Sequence, residues 1–183
     1  RQKVAGLMAV VQTAGTNGGE AVKTSLAEIT ESLNNFPSKS AGPAEIQQYV
    51  ERVLQKNVSQ SDYQKSIEGI RHDSVGVHIQ LAASVIFQTG SANLEEEGLA
   101  TLEKVARMLK SSKRRLIVEG HTDDQTIQST RFASNWELGA MRATKIVRYL
   151  IYRRIDPALL TAVTYADQKT LVENSSEEKK KKN

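Results

Sequence analysis

The chain has 183 residues, a net charge of +4, 39% hydrophobic and 25% charged residues, and no cysteine. That length supports one good core and a small extra module, while the missing cysteines exclude a disulfide framework and any thiolate metal site. The basic residues are not gathered on one face with aromatics between them. Their one dense run, Lys179 to Lys182, follows two acids and reads as a solvated helix end or tail, so no nucleic-acid partner is expected.

Near the start, Leu7 to Val11 is the strongly apolar run. It is far too short to cross a bilayer, so neither a signal peptide nor a membrane helix is expected in this chain, which reads as a fragment of a longer one. Gly15 to Gly19 is a breaker cluster. After it, Val22, Leu26, Ile29 and Leu33 recur at helical spacing until Asn34-Asn35-Phe36-Pro37 ends the pattern. Ser38 to Gly42 is a small-polar linker. Pro43 then opens a helix whose apolar stripe is Ile46, Tyr49, Val50, Val53 and Leu54. Ser59 to Ile67 is predicted as a further short helix. Helices this short have no core of their own and need a docking surface on the second half, a sister chain or a partner. Residues 1–66 are therefore assigned to a helical linker or extension, and 67–183 to a second domain.

From about Gly69 the pattern turns to strands. Val75, Val77 and Ile79 alternate with Gly76, His78 and Gln80, which predicts a half-buried strand. Ala82 to Phe87 is predicted to continue extended. Leu99, Leu102, Ala106 and Leu109 share one helix face, and Leu116 to Val118 form a short buried strand. Trp136, Ala140, Ala143, Val147 and Leu150 make the expected apolar face of the next helix. Pro157 opens the return, and Leu160 to Tyr165 reads as a third strand. The order strand, helix, strand, helix, strand predicts an α/β (α+β) two-layer sandwich, with two main helices on a small mixed sheet.

The chemistry concentrates between Val118 and Ala143. An apolar strand leads into a polar loop with the adjacent acids Asp123 and Asp124, and a helix carrying Arg142 follows. Opposite charges on neighbouring elements suit a ligand with an ammonium at one end and a carboxylate at the other, because a guanidinium binds a carboxylate through two parallel bonds. An Asp in such a loop also caps turns through its own backbone, and a surface Arg also pairs with a helix neighbour such as Glu137. Chemistry alone leaves both alternatives open. His121 invites a metal or general-base reading, but no other His is near in sequence, and neither a metal-ligand spacing nor a nucleophile motif occurs. It is read as a structural hydrogen-bonding residue, so no catalytic residue, metal or cofactor is expected. Trp136 offers a sugar-stacking ring, but its helical spacing with Ala140 and Ala143 assigns it to the core.

Gly120-His121-Thr122-Asp123, Ser134-Asn135-Trp136-Glu137-Leu138 and Arg142-Ala143 together resemble the OmpA/MotB-type peptidoglycan-binding family in its flagellar-stator form. Asp123, Asn135, Leu138, Arg142 and Ala143 form the pattern common to the superfamily, and the Ser-Asn-Trp-Glu-Leu run is more typical of stator proteins. The resemblance covers about Val75 to Asn183. It implies a non-catalytic wall-binding module in which Asp123 receives the ammonium and Arg142 the carboxylate of a diaminopimelate side chain in a peptidoglycan stem peptide. Thr122 and Asn135 would hydrogen-bond the peptide or hold the loop, Leu138 completes the pattern, and Asp124 stays with the turn reading. It further implies a homodimer on the extracytoplasmic side, joined to a membrane stator partner through an upstream membrane helix of a single-pass protein. A general OmpA-like wall tether and a wall hydrolase using His121 and Asp123 are the alternatives. The chain departs from the family pattern at Gly139, where serine is usual, and at Thr126, Ala133 and Thr170, where proline is common. It also ends at Asn183, before the family's Arg-Arg pair and final strand, which is therefore expected to be missing from the sheet.

Overall fold

The computed structural model describes residues 6–12 (backbone only), 35–123 and 131–168. In chain order these form β1 (Gly6–Gln12), α1 (Pro43–Asn57), α2 (Gln60–Ser66), β2 (Ile67–His72), β3 (Gly76–Ala82), α3 (Ala83–Ile86), α4 (Glu96–Ser112), β4 (Leu116–His121), α5 (Asn135–Tyr152), a 3-10 turn at Pro157–Leu159 and β5 (Leu160–Ala166). The five strands make one sheet in the order β2-β3-β1-β4-β5. The first three pairings are antiparallel, and β4 pairs with β5 in parallel. A parallel pair needs a long crossover, which α5 supplies. Mixed sheet plus helices is the architecture the sequence predicts.

Leu7 to Val11 is where the structure adds most to that reading. The run is strand, not part of a helical extension, and it lies in the middle of the sheet. Leu7 pairs with Leu81 of β3 on one side and Gly120 of β4 on the other. A short continuous apolar run fits a strand flanked on both sides, and the position satisfies backbone donors and acceptors along β3 and β4. The sheet thus has a strand between β3 and β4 drawn from the N-terminal region. The helix expected over Val22 to Leu33, the lysine run, Asp124, Thr126 and Thr170 lie outside the described residues.

The α1 prediction holds residue by residue. Pro43 occupies its first turn, and Ile46, Tyr49, Val50, Val53 and Leu54 are all buried. These side chains share one core with Val77, Ile79 and Leu81 of β3, Leu102 to Leu109 of α4, Leu116 and Val118 of β4, and Ala143, Ile146 and Leu150 of α5. Helices α1 and α2, the latter through Tyr63, therefore dock on the second half of the chain. Gln47 Nε2 also donates to the Ile70 carbonyl at 3.1 Å, tying α1 to β2. Upstream, Phe36 packs edge-on against Tyr49 at 5.0 Å, and Arg114 donates to the Ser38 carbonyl at 2.6 Å.

Three local expectations need correction. Ala83–Ile86 is a helical turn instead of extended chain, closed by the Phe87 N–H on the Ala83 carbonyl at 2.9 Å. Val75 is exposed in a turn made by Asp73, whose carboxylate accepts from the N–H groups of Val75 and Gly76. This is the side-chain turn chemistry that competes with strand pairing. Trp136 is 49% exposed and Ala140 is exposed as well, so the buried face of α5 is rotated from the expected one and runs through Asn135, Leu138, Gly139, Arg142, Ala143, Ile146 and Leu150.

Candidate functional site

The site forms where β4 ends, α5 begins and the turn after Phe87 meets both. Along β4 the side chains alternate. Leu116 and Val118 enter the helix-side core, and Gly120 meets α5. A Cβ at Gly120 would overlap the Gly139 carbonyl, and one at Gly139 would overlap the Thr164 hydroxyl. Two glycines facing one another thus let the helix lie directly on the strand. This accounts for glycine at 139 where the resembling pattern has serine. Close approach seats the following turn of α5, with Arg142, deep against the sheet end.

Helix α5 starts with a reciprocal cap. Ser134 Oγ accepts from the Trp136 N–H at 3.1 Å and donates to the Glu137 carboxylate, the Ser-x-x-Glu box that fixes a helix start. Asn135 is buried, and its Nδ2 donates to the Asp123 carbonyl at 3.2 Å. The cap thereby also fixes the base of the acidic loop. Thr122 donates its N–H to the Ala166 carbonyl at 2.9 Å, extending the β4–β5 edge. Its Oγ1 is buried with no hydrogen-bond partner among the described residues. Asp123 is partly exposed at the rim.

Arg142 is 7% exposed, a cost normally offset only by specific partners. Its Nε donates to the Ser91 carbonyl at 2.9 Å and its Nη2 reaches the Gln88 carbonyl at 3.4 Å. The guanidinium carbon stands 5.1 Å from the centre of the buried Phe87 ring, a favourable cation–π distance. Burial pushes the guanidinium below its usual range, and the negative charge of Asp123 opposes that shift. Arg142 is buried and bonded to main-chain carbonyls, so the alternative of a surface bridge to Glu137 is not what the structure holds. Nη1 makes no hydrogen bond to the described residues. A positive group fixed at one edge and a carboxylate on the neighbouring loop is an arrangement suited to a zwitterion.

The sequence reading gave the residues that hold Arg142 no role in the site. Phe87, Gln88 and Ser91 belong to a tight turn in which Ser91 N–H bonds the Gln88 carbonyl at 3.0 Å and Gly90 has φ +63°. Only glycine adopts that conformation without strain. An aromatic residue at a strand-like end, followed within three residues by glycine, was the available signal. Leu138 lies under this turn in a separate small core with Ala92 and Phe132. It thus joins the Arg142-holding turn to the segment entering α5.

His121 is buried. Its Nε2 lies 3.2 Å from Glu119 Oε2, and its ring stacks on Tyr165 at 5.5 Å. Among the described residues no cluster of three or more His, Cys, Asp or Glu is placed to hold a metal ion. No helix among them is long and apolar enough to cross a membrane.

This assembly of strand end, capped helix and arginine-holding turn coincides with a family match. The OmpA family pattern fits residues 86–183. The chain belongs to the OmpA family. It is 35% identical over 114 residues to a Bacillus subtilis relative, Uncharacterized protein YtxE, covering 62% of this chain and 47% of that one. It is 30% identical over 112 residues to Motility protein B of Bacillus subtilis, covering 60% and 43%. The chain thus spans less than half the length of these curated relatives. Among solved structures, the periplasmic domain of Helicobacter pylori MotB superposes with a TM-score of 0.53 at 26% identity, over 61% of this chain and 72% of that one. The OmpA/MotB-like character expected from the sequence is therefore present in both motif and fold.

Proposed function

We propose that this OmpA/MotB-like domain is a non-catalytic peptidoglycan-binding module that anchors a flagellar stator complex to the cell wall. The observation that carries the reading is Arg142: buried, held by two main-chain carbonyls over Phe87, and electrostatically coupled to Asp123. A guanidinium fixed in this way needs no rearrangement to accept a carboxylate. The ligand is the zwitterionic end of diaminopimelate in a stem peptide, its carboxylate on Arg142 and its ammonium on Asp123. Thr122 Oγ1, without a hydrogen-bond partner among the described residues, adds a buried polar atom next to the acid in sequence. Asn135 and Leu138 hold the loop and the turn.

The test is retention on isolated wall sacculi. Asp123→Ala and Arg142→Ala should each weaken retention roughly ten- to a hundred-fold, the loss of a charge-assisted hydrogen bond. Asp124→Ala should matter less. Undiminished retention in both variants removes the site, and released muropeptides in the supernatant would favour a hydrolase instead.

The stator assignment rests on the relatives named Motility protein B. On this reading the domain works outside the cytoplasmic membrane as a homodimer, carried by a single-pass protein whose membrane helix meets the stator partner subunit. Two wall sites on one assembly gain avidity, and a two-fold pair is the commonest homo-oligomer. Sedimentation of only monomer at high concentration would count against the dimer. A membrane helix bearing an aspartate in the full-length protein separates a stator from a general wall tether.

A further inference from the structure

Trp136 is the single tryptophan of the chain, and it is half in water at 49% exposure. Its place in the helix is fixed by the cap, since its own N–H is bound by Ser134 Oγ at 3.1 Å. It follows directly on Asn135, whose side chain holds the Asp123 carbonyl. Asn135 and Arg142 are seven residues apart, so they lie within about 20° of one another round the helix, while Trp136 is turned about 100° from Asn135. The clamp residues therefore face the sheet end, and the indole sits on the open flank beside them. Ala140, also exposed and turned about 40° from Trp136, continues that flank along α5.

We propose that Trp136 is a saccharide-stacking platform, taking the amino sugar to which the stem peptide is attached. The proposal rests on the Asp123–Arg142 site binding that peptide. Two arguments single out this occupant. The first is reach. Trp136 precedes Arg142 by six residues, roughly 9 Å along the helix axis, and three extended peptide residues span about 10 Å. A stem peptide held by its diamino acid therefore brings its sugar to the level of the indole. The second is chemistry. The C–H face of a pyranose carries partial positive charge and meets the negative face of an aromatic ring, while its hydroxyls stay in water; a half-exposed indole offers that apolar face with a polar N–H at its edge.

The sole tryptophan makes the test direct. Trp136 emission and binding heat are followed as the protein is titrated with a diaminopimelate-containing disaccharide tripeptide, and separately with the same tripeptide lacking sugar. The disaccharide form should shift and quench the emission, and the free tripeptide should bind without doing so. Trp136→Ala should weaken the disaccharide form about ten-fold and leave the tripeptide affinity unchanged, with circular dichroism intact; Trp136→Phe should restore part of the loss. Equal losses for both ligands, or none for either, overturn the platform while the clamp stands. Emission that changes with protein concentration alone assigns the indole to a second copy of the chain and also overturns it. Failure of the wild type to bind either ligand overturns the clamp and the platform together.

Discussion

Helices α1 and α5 are both amphipathic and of similar length, 15 and 18 residues, yet they are built on different logic. Helix α1 buries five apolar side chains and no polar one from its first turn to its last. Helix α5 does this only from Ala143 onward, with Ile146 and Leu150; before that it buries Asn135, Gly139 and Arg142 beside one large apolar side chain, Leu138, and leaves its tryptophan outside. The C-terminal half of α5 holds the helix on the sheet, and the N-terminal half is free to carry a site. A helix whose buried face changes chemistry along its length marks the boundary between core and function.

The sharpest way to test that division is to truncate one side chain from each. Leu54 is fully buried in α1. Leu54→Ala should cost about 2–5 kcal/mol by removing apolar contact and leaving a cavity. Urea denaturation measures this, and the folded fraction should still be retained on sacculi. If wall retention falls in parallel at temperatures where the variant is folded, α1 is part of the site and the comparison fails.

Arg142→Ala is the counterpart. It strips the donor from the carbonyl of buried Ser91 and a weaker one from the Gln88 carbonyl, which keeps the Ser91 N–H; the loss should cost roughly 1–3 kcal/mol of stability. It should also abolish most stem-peptide binding. Arg142→Lys separates the two effects. The charge stays, but a lysine cannot span both carbonyls and present a further planar donor, so calorimetric binding should fall more than the melting temperature does.

The sequence revealed these two regions unequally, for physical reasons. The α1 stripe was legible because apolar burial is nearly additive and follows helical period, so five positions sufficed. Asp123 and Arg142 were singled out together through the family pattern, while charges alone left the alternatives open. Phe87, Gln88 and Ser91 were not legible as supports, since two of the three act through backbone carbonyls, which any residue provides. Trp136 was misplaced because periodicity favours burying the largest apolar ring. The polar partners of Asn135 and Arg142 rotated the helix instead, and a 3.6-residue period cannot register that competition. The β1 strand was missed for a different reason: its pairing partners lie about 70 and 110 residues away in sequence (Leu7 with Leu81 and Gly120). Nothing local announces such a register.

The glycine contact gives a smaller effect that sharpens the comparison. At Gly139→Ala the new methyl meets the Thr164 hydroxyl, which now bonds the Gly120 carbonyl at 3.1 Å. The threonine must give way or the helix must lift, at a cost of roughly 1–2 kcal/mol. Lifting should tilt the first half of α5 and weaken peptide binding, whereas simple loss of the threonine bond should lower the melting temperature alone. Combining Gly139→Ala with Thr164→Ala distinguishes them: recovery of binding in the double variant shows that helix seating was the cause.

The smallest expected effect is at the helix start, and it is pH-dependent. Ser134→Ala should cost about 1 kcal/mol through loss of the cap. Glu137 completes the box from an exposed position. The hydrogen bond from the Ser134 hydroxyl is the largest influence on its carboxyl, and with backbone N–H groups it holds the acid below its ordinary value of 4.5. A carboxyl depressed in the folded state adds stability that is present above the unfolded value and is lost as pH falls through the folded one. The melting temperature of the wild type should therefore exceed that of Glu137→Gln at neutral pH, and the gap should close as the pH is taken below 4.5. In a Ser134→Ala background that acid-dependent gap should shrink, because the hydroxyl responsible for most of the shift is gone. Melting curves of the four proteins between neutral and acidic pH decide the point. A gap that is the same with and without Ser134 would mean that the helix dipole, rather than the reciprocal cap, sets the start of α5.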